Sequence, residues 1–280
     1  MKRILVTGAT GNLGCAVVVA LRNKGISVRA AGRDAKKLNA IEGETAVFDY
    51  ANQSAALAAL QDVDALFLMA PPLDAEAPAK LKPVIDLAKS RGVCHIVFNS
   101  ALGVDAVEQA PLRVCERYLM GSGVPYTIIR PNFFMENFSS GFLAPMVRAG
   151  GIFLAADNAK TSFISVVDIA GVAAAAFAKT LTFKEYNLTG PEALDHAQVA
   201  AIISRVSGKR VTYQAIAEEA MLNGLRGIGM PEGPVRYVGV LYGAVRAGYT
   251  GAVTADVETV TGEKPTDFES FARRSAGAWA

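Results

Sequence analysis

Lys2-Arg3-Ile4-Leu5-Val6-Thr7-Gly8-Ala9-Thr10-Gly11-Asn12-Leu13-Gly14 is the stretch that decides the fold. The apolar run Ile4 to Val6 predicts a buried strand, three glycines follow it at three-residue spacing, and a helical segment begins at Cys15-Ala16-Val17-Val18-Val19-Ala20-Leu21. A strand, a glycine turn and a helix start together make an anion site. Backbone N–H groups at the helix N-terminus point at a phosphate, and the helix dipole favours negative charge there. Glycine is needed where a side chain would keep the backbone off a pyrophosphate, or the helix off the strand. The spacing G-x-x-G-x-x-G is one residue longer than the common dinucleotide fingerprint. A plain tight turn is the competing reading. The position between strand and helix favours a dinucleotide cradle made by Gly8, Thr10, Gly11, Asn12, Leu13 and Gly14.

The chain has 280 residues, 51% hydrophobic and 19% charged, with a net charge of +2. That composition supports a large packed core and opposes disorder. No basic block recruits nucleic acid or acidic lipid. The most apolar run, Ile169 to Ala178, is too short and alanine-rich to span a bilayer. Met1-Lys2-Arg3 precedes only a few apolar residues, which predicts no signal peptide. Cys15, Cys94 and Cys115 lack metal-ligand spacing and read as reduced, mostly buried thiols of a cytoplasmic protein. With two histidines, a histidine-rich metal site is excluded, and no metal is expected.

Strand two, Val28 to Ala31, ends at Gly32-Arg33. An NAD site places an acidic residue about 20 residues beyond the glycine loop, where it accepts from the ribose 2′-hydroxyl. Here Arg33 stands instead, with Lys37 one helical turn later. A guanidinium pairs with a 2′-phosphate through charge-assisted bonds, so NADP is the expected cofactor. Strand three, Thr45 to Asp49, brings Asp49 and Tyr50 to a carboxyl end, where an open sheet binds ligands. Asp49 suits the adenine amino group, or else a helix cap for Ser54 to Leu60. Strand four, Asp64 to Ala70, runs into Pro71-Pro72, which stiffen a loop beside the nicotinamide ribose. Helix Ala77 to Arg91 carries a core-facing stripe, and strand five, His95 to Asn99, has Ser100 at its mouth. His95 reads as a structural residue.

Strands alternating with helices predict an α/β fold, a Rossmann-type doubly wound parallel sheet with a smaller C-terminal substrate lobe. A sixth strand, Tyr126 to Arg130, leads into Pro131-Asn132-Phe133-Phe134-Met135-Glu136-Asn137-Phe138. Pro131, Asn132 and Phe133 join the cofactor contacts. Phe133, Phe134 and Asn137 form a platform on which a planar substrate stacks, with plain inter-lobe core as the alternative. The run Phe163 to Asp168 predicts a strand ending in Asp168 as N-cap of helix Ile169 to Lys179. Tyr186 to Leu188 reads as a strand and His196 to Val206 as an amphipathic helix. Glu218 to Arg246, apolar and rich in glycine, suits a mobile lid. The expected division is residues 1–133 for the cofactor core and 134–280 for the lobe and lid, with about 160–190 returning to the core.

Thr7 to Gly14, Arg33, Arg130-Pro131 with Phe134 to Phe138, and Phe163 to Ala170 together resemble the NmrA-like branch of atypical short-chain dehydrogenases. Met135-Glu136-Asn137-Phe138-Ser139, Ile164 to Ile169 and Val260-Thr261-Gly262-Glu263-Lys264-Pro265 resemble festuclavine and agroclavine dehydrogenases. Triphenylmethane reductase and NADPH:quinone reductases are similar relatives. The resemblance implies a Rossmann fold, an NADP cofactor and either reduction or cofactor sensing without turnover. Ordinary members of the superfamily use Tyr-x-x-x-Lys as proton donor. Here Leu112 stands in the tyrosine place and Glu116 in the lysine place. Ser100 keeps the serine position, and Ser100 and Tyr126 remain as candidate donors.

Without that acid the chemistry narrows. A ketone becomes an alkoxide that a positioned donor must protonate. An iminium ion or cationic dye needs hydride alone, and a quinone gives a phenolate-like oxygen that water protonates later. The expected protein is an NADPH-dependent oxidoreductase of planar electrophilic small molecules, with no direct nucleic-acid or membrane partner, as a monomer or homodimer. The alternative is an NADP-binding sensor acting through a protein partner.

Overall fold

The apolar run before the first glycine folds as β1 (Arg3–Val6), an interior strand of a seven-stranded parallel sheet in the order β3-β2-β1-β4-β5-β6-β8. The computed structural model describes residues 3–279. The other sheet strands are β2 (Ser27–Gly32), β3 (Thr45–Val47), β4 (Ala65–Met69), β5 (His95–Asn99), β6 (Tyr126–Pro131) and β8 (Lys184–Leu188). Strands β7 (Gly151–Leu154) and β9 (Thr212–Ala215) pair in parallel as a separate small sheet. The helices are α1 (Asn12–Asn23), α2 (Ala35–Leu38), α3 (Gln53–Ala59), α4 (Ala77–Ser90), α5 (Pro111–Gly121), α6 (Ala144–Arg148) and α7 (Val166–Ala178). They continue with α8 (His196–Ser207), α9 (Glu218–Gly227), α10 (Glu232–Arg246), α11 (Asp256–Thr261) and α12 (Phe268–Ser275). Strand order reverses between β1 and β4, and a doubly wound sheet opens its ligand crevice at such a switch point.

Three apolar clusters follow from the layers. On one face α1 and α7 cover the sheet, burying Leu13, Val17, Val18 and Leu21 with Ile169, Val172 and Ala173. Each fully buried Val or Leu there contributes about 1.5–3 kcal/mol. On the other face α3, α4 and α5 bury Ala56, Leu81, Ile85, Cys115 and Leu119 against Leu66 and Phe98. The third cluster belongs to the lobe and is built on Phe138, Phe163, Val199, Val238, Tyr242, Phe268 and Trp279. Trp279 donates its indole N–H to the Phe138 carbonyl at 2.8 Å, which fastens the chain's end to the turn after β6.

Four expectations change. Phe163 to Asp168 is not a strand: Ile164 makes an isolated bridge to Phe134, and α7 starts at Val166 with Ser165 as its cap. Burial of Val166 and Ile169 against α1 overrides the β preference of that run. Asp168 instead accepts from Thr266 N at 2.9 Å and Thr266 Oγ1 at 3.1 Å. Helix α3 takes its cap from Asn52, which accepts from Ala55 N, so Asp49 has no capping role there. Cys15 and Cys94 are exposed, and only Cys115 is buried. The stretch expected as a mobile lid forms α9 and α10, and its Met221, Leu225, Val235 and Val238 are built into the lobe core.

His196 shows what that core demands. Its ring lies among Phe163 at 5.6 Å, Tyr213 at 5.4 Å and Tyr242 at 6.3 Å between centroids, and its Nδ1 has no hydrogen-bond partner. Burial pushes the imidazole down to about 4, with Asp195 opposing weakly. The unfolded chain has an ordinary histidine near 6.5 and takes a proton that the fold refuses. Stability from this group is therefore full above about pH 6.5 and falls as the pH drops towards 4. The stability difference between the wild type and His196→Leu should change by about 2 kcal/mol between pH 7 and 5, read by urea unfolding. A difference independent of pH would show that the ring is solvated.

Candidate dinucleotide and substrate site

The glycine loop sits at the carboxyl end of β1. Gly8 has φ +66°, a left-handed conformation, and its carbonyl accepts from Gly11 N at 2.9 Å to close the turn. A Cβ on Gly14 would lie 2.2 Å from the Gly8 carbonyl oxygen, so only glycine lets α1 approach the loop. A Cβ on Gly11 would meet nothing closer than 3.5 Å; Gly11 is exposed and takes the N-cap position of α1. Gly14 is thus a packing glycine, and Gly11 is the one whose bareness faces outward. The helix starts at Asn12 rather than Cys15, so Asn12, Leu13 and Gly14 form its first turn, with Leu13 buried. Asn12 Nδ2 donates to Ser140 Oγ at 3.0 Å and ties the loop to the lobe.

Around the loop the strand ends assemble most of the expected cofactor residues. Thr10 is exposed and packs over Gly32, whose added Cβ would lie 3.2 Å from Thr10 Cγ2. Arg33 and Lys37 are exposed, and neither side chain forms an ion pair among the described residues. Asp49 is half-buried and accepts from Ala51 N at 3.0 Å. The Tyr50 phenol donates to the Met69 carbonyl, and its ring meets Phe48 edge-on at 5.1 Å. Burial pushes that phenol up to about 12, with Thr7 and Arg33 opposing, so Tyr50 braces β3 against β4 as a neutral group. Ala70 and Pro71 are half-buried and Pro72 is exposed at the end of β4. At the mouth of β5, Asn99 Oδ1 is closed to solvent without a hydrogen-bond partner, and Ser100 Oγ lies buried beside Glu116.

The residues after β6 do not all converge. Pro131 is buried in its strand opposite Leu188. Asn132 spends its amide on Ser162 Oγ and the Thr250 carbonyl, both at 2.8 Å, and accepts from Phe133 N. It ties the sheet to the lobe, and both its donors are used. Phe133 packs into the lobe with its ring 6.0 Å from Tyr242, whereas Phe134 packs against the α1–α7 cluster. The two rings do not make one platform. Asn137 is half-buried, its N–H bonded to the Phe134 carbonyl. Tyr126 is the first residue of β6, about one strand length from the carboxyl ends, and its ring meets exposed Phe183 at 5.4 Å. It cannot reach a substrate at the crevice.

Helix α5 holds an ion network that sequence reading overlooked. Glu116 on α5 is fully buried and accepts from Arg113 Nη1, Arg130 Nε and Arg130 Nη2, each at 2.8 Å. Burial works against its charge, but the two guanidiniums, aided by nearby Ser100, outweigh it and hold the carboxyl below its usual range. Arg130 extends to Asp105 and Glu185, and Arg113 to Glu108. Ser100 N donates to the Ile129 carbonyl at 2.8 Å, so β5's mouth is pinned beside this network. Glu136, also overlooked, accepts from Ser165 Oγ at 2.8 Å and Val166 N at 3.0 Å, filling the N-terminus of α7. Arg130 and Glu136 lie in the motifs quoted above; their partners, far apart in sequence, were not legible.

Among the described residues no group of three His, Cys, Asp or Glu side chains is placed to hold a metal, and no helix is long and apolar enough to cross a membrane. The glycine cradle, the unpaired Arg33 and the unsatisfied Asn99 Oδ1 fit a phosphate-bearing dinucleotide laid across the switch point. Residues 1–272 match the NmrA-like family. The chain is 32% identical to NAD(P)H azoreductase of Xenophilus azovorans, over 99% of both chains. It is 32% identical to Prestalk A differentiation protein A of Dictyostelium discoideum, covering 97% of this chain and 92% of that protein. The solved Escherichia coli NADPH-dependent quinone oxidoreductase QOR2, complexed with NADPH, superposes with a TM-score of 0.83 at 27% identity, over 97% and 99% of the chains.

Proposed function

The chain belongs to the NmrA-like family, and from that premise we propose that it is an NADPH-dependent oxidoreductase that reduces planar, electrophilic small molecules without a side-chain proton donor. The relatives named for azo and quinone reduction support the reductase class. The observation that carries the finer reading is Glu116. Where the superfamily keeps a lysine, this chain buries an ionised carboxylate between two arginines, and an ionised carboxylate only accepts hydrogen bonds. When bound, the nicotinamide supplies hydride. The chain's own residues bind and orient: Gly8, Gly11 and the start of α1 take the pyrophosphate, and Arg33 with Lys37 the 2′-phosphate. Asp49 takes the adenine, Ala70 to Pro72 the ribose, and Asn99 with Ser100 the nicotinamide end. Phe133 closes the substrate side from the lobe. Positioning of this kind accounts for large rate gains without acid–base help.

The direct test follows NADPH absorbance with a panel of quinones, azo compounds, cationic dyes and cyclic imines. Turnover of at least one class supports the proposal. Tight NADPH binding with no turnover of any would favour the sensor reading.

Arg33 sets the cofactor preference. NADPH should bind at least tenfold tighter than NADH, about 1.4 kcal/mol, and Arg33→Ala should remove most of that margin. Fluorescence titration measures both. Equal affinity in the unaltered protein would contradict the assignment.

A further inference from the structure

The start of α1 is left uncapped by its own sequence. Gly11 at the N-cap has no side chain to accept from the first-turn N–H groups, and no acidic residue lies in that turn. Those N–H groups and the helix dipole favour an anion at this end. One side chain from the lobe reaches the same place. Ser140 is exposed, and its Oγ accepts from the side-chain amide of Asn12, the first residue of α1, at 3.0 Å. The turn that carries Ser140 is firmly mounted. The Ser139, Ser140 and Gly141 N–H groups all donate to the Glu136 carbonyl, at 3.2, 2.9 and 2.8 Å. Only glycine permits this fold-back, because a Cβ on Gly141 would stand 2.7 Å from Asn137 Cα. The Glu136 carboxylate is fastened in turn to Ser165 Oγ and Val166 N at the start of α7, and α7 packs on α1. Ser140 is thereby positioned relative to the helix that follows the glycine loop.

The hydroxyl's remaining capacity follows from its partners. A serine hydroxyl has one proton to give and two lone pairs. The Asn12 amide takes a lone pair and leaves the proton available. Among the described residues its acceptor is the Glu136 carbonyl at 3.4 Å, a long bond to an oxygen that already takes three N–H groups. A diphosphate oxygen carries charge and accepts through a shorter, stronger bond.

We propose that Ser140 is a cofactor-binding residue supplied by the lobe, its hydroxyl donating to the dinucleotide's diphosphate at the start of α1 while Asn12 holds it in place. This rests on the placement of the diphosphate at Gly8, Gly11 and the start of α1. The contact brings the edge of the lobe over the middle of the cofactor and leaves the 2′-phosphate to Arg33 and Lys37. A ligand that carries the 2′-phosphate without the diphosphate gains nothing from Ser140.

The test is calorimetric titration with NADP and with adenosine 2′-monophosphate, which keeps the 2′-phosphate and lacks the diphosphate. Ser140→Ala should weaken NADP binding about five- to tenfold, with adenosine 2′-monophosphate affinity and melting temperature unchanged. Ser140→Thr keeps the hydroxyl and should restore most of the NADP affinity. Ser139→Ala removes the neighbouring hydroxyl, whose contact is the Glu136 carbonyl at 3.5 Å, and is the control that should match the wild type. Wild-type NADP affinity in Ser140→Ala overturns the proposal. If Gly11→Leu still loses NADP, the glycine cradle survives that result; if Gly11→Leu also binds normally, the cradle falls with it. An equal loss of NADP and adenosine 2′-monophosphate affinity in Ser140→Ala, or no recovery in Ser140→Thr, overturns the proposal by making the role structural. No NADP binding by the wild type overturns both the contact and the cofactor site.

Discussion

Glu116→Ala lowers the unfolding free energy by about 3–5 kcal/mol, the expected result when one partner of a buried ion pair is removed. The loss exceeds that of a cavity of the same size, because Arg113 and Arg130 are left charged with little solvent to replace the carboxylate. Arg130 keeps Glu185 and Asp105, and Arg113 keeps Glu108, but these three acids lie nearer the surface and satisfy the guanidiniums only in part. Urea unfolding measures the change. Glu116→Gln should lose less, since the amide oxygen still accepts from one arginine. A loss below about 1 kcal/mol in the alanine variant would mean that water enters the network and that its ions are screened as surface pairs are.

Gly11→Leu is expected to lower NADPH affinity more than a hundredfold, about 2.7 kcal/mol, while the protein still folds. The added side chain has room in the free chain, with nothing nearer than 3.5 Å, yet it projects from the helix start that must meet the pyrophosphate. Gly14→Leu should act the other way. Its Cβ alone would stand 2.2 Å from a backbone oxygen, so folding fails before binding can be measured. Circular-dichroism melting and NADPH fluorescence separate the two. Normal cofactor binding by Gly11→Leu would put the phosphate cradle elsewhere.

Much of the fold was legible because parallel strands buried on both faces are written as short apolar runs. Ile4 to Val6 and His95 to Asn99 stood out, and the glycine loop fixed where the first crossover begins. The run Phe163 to Asp168 misled because its β-branched residues carry a strand preference that burial against α1 overrules. The glycines between 224 and 243 signalled mobility, but an amphipathic pattern underneath built two helices into the lobe. The site divides likewise. Gly8, Gly14 and Arg33 carry their reason in local sequence. The separation of Phe133 from Phe134, the distance of Tyr126 and the trapping of Glu116 by Arg130 come from tertiary packing between residues far apart in the chain.

The central claim is hydride delivery without a positioned proton donor. Its most direct test is the initial rate of NADPH oxidation between pH 6 and 8, with a quinone and with an unactivated ketone such as cyclohexanone. A single general acid contributes roughly 10²–10⁴-fold, so the ketone's kcat/KM should fall short of the quinone's by at least about that factor. The quinone's rate should vary by less than about twofold across the range if no side chain donates a proton in the rate-limiting step. Comparable reduction of the ketone, with a rate that collapses through a single ionisation, would contradict the account and reveal a proton donor in the cleft.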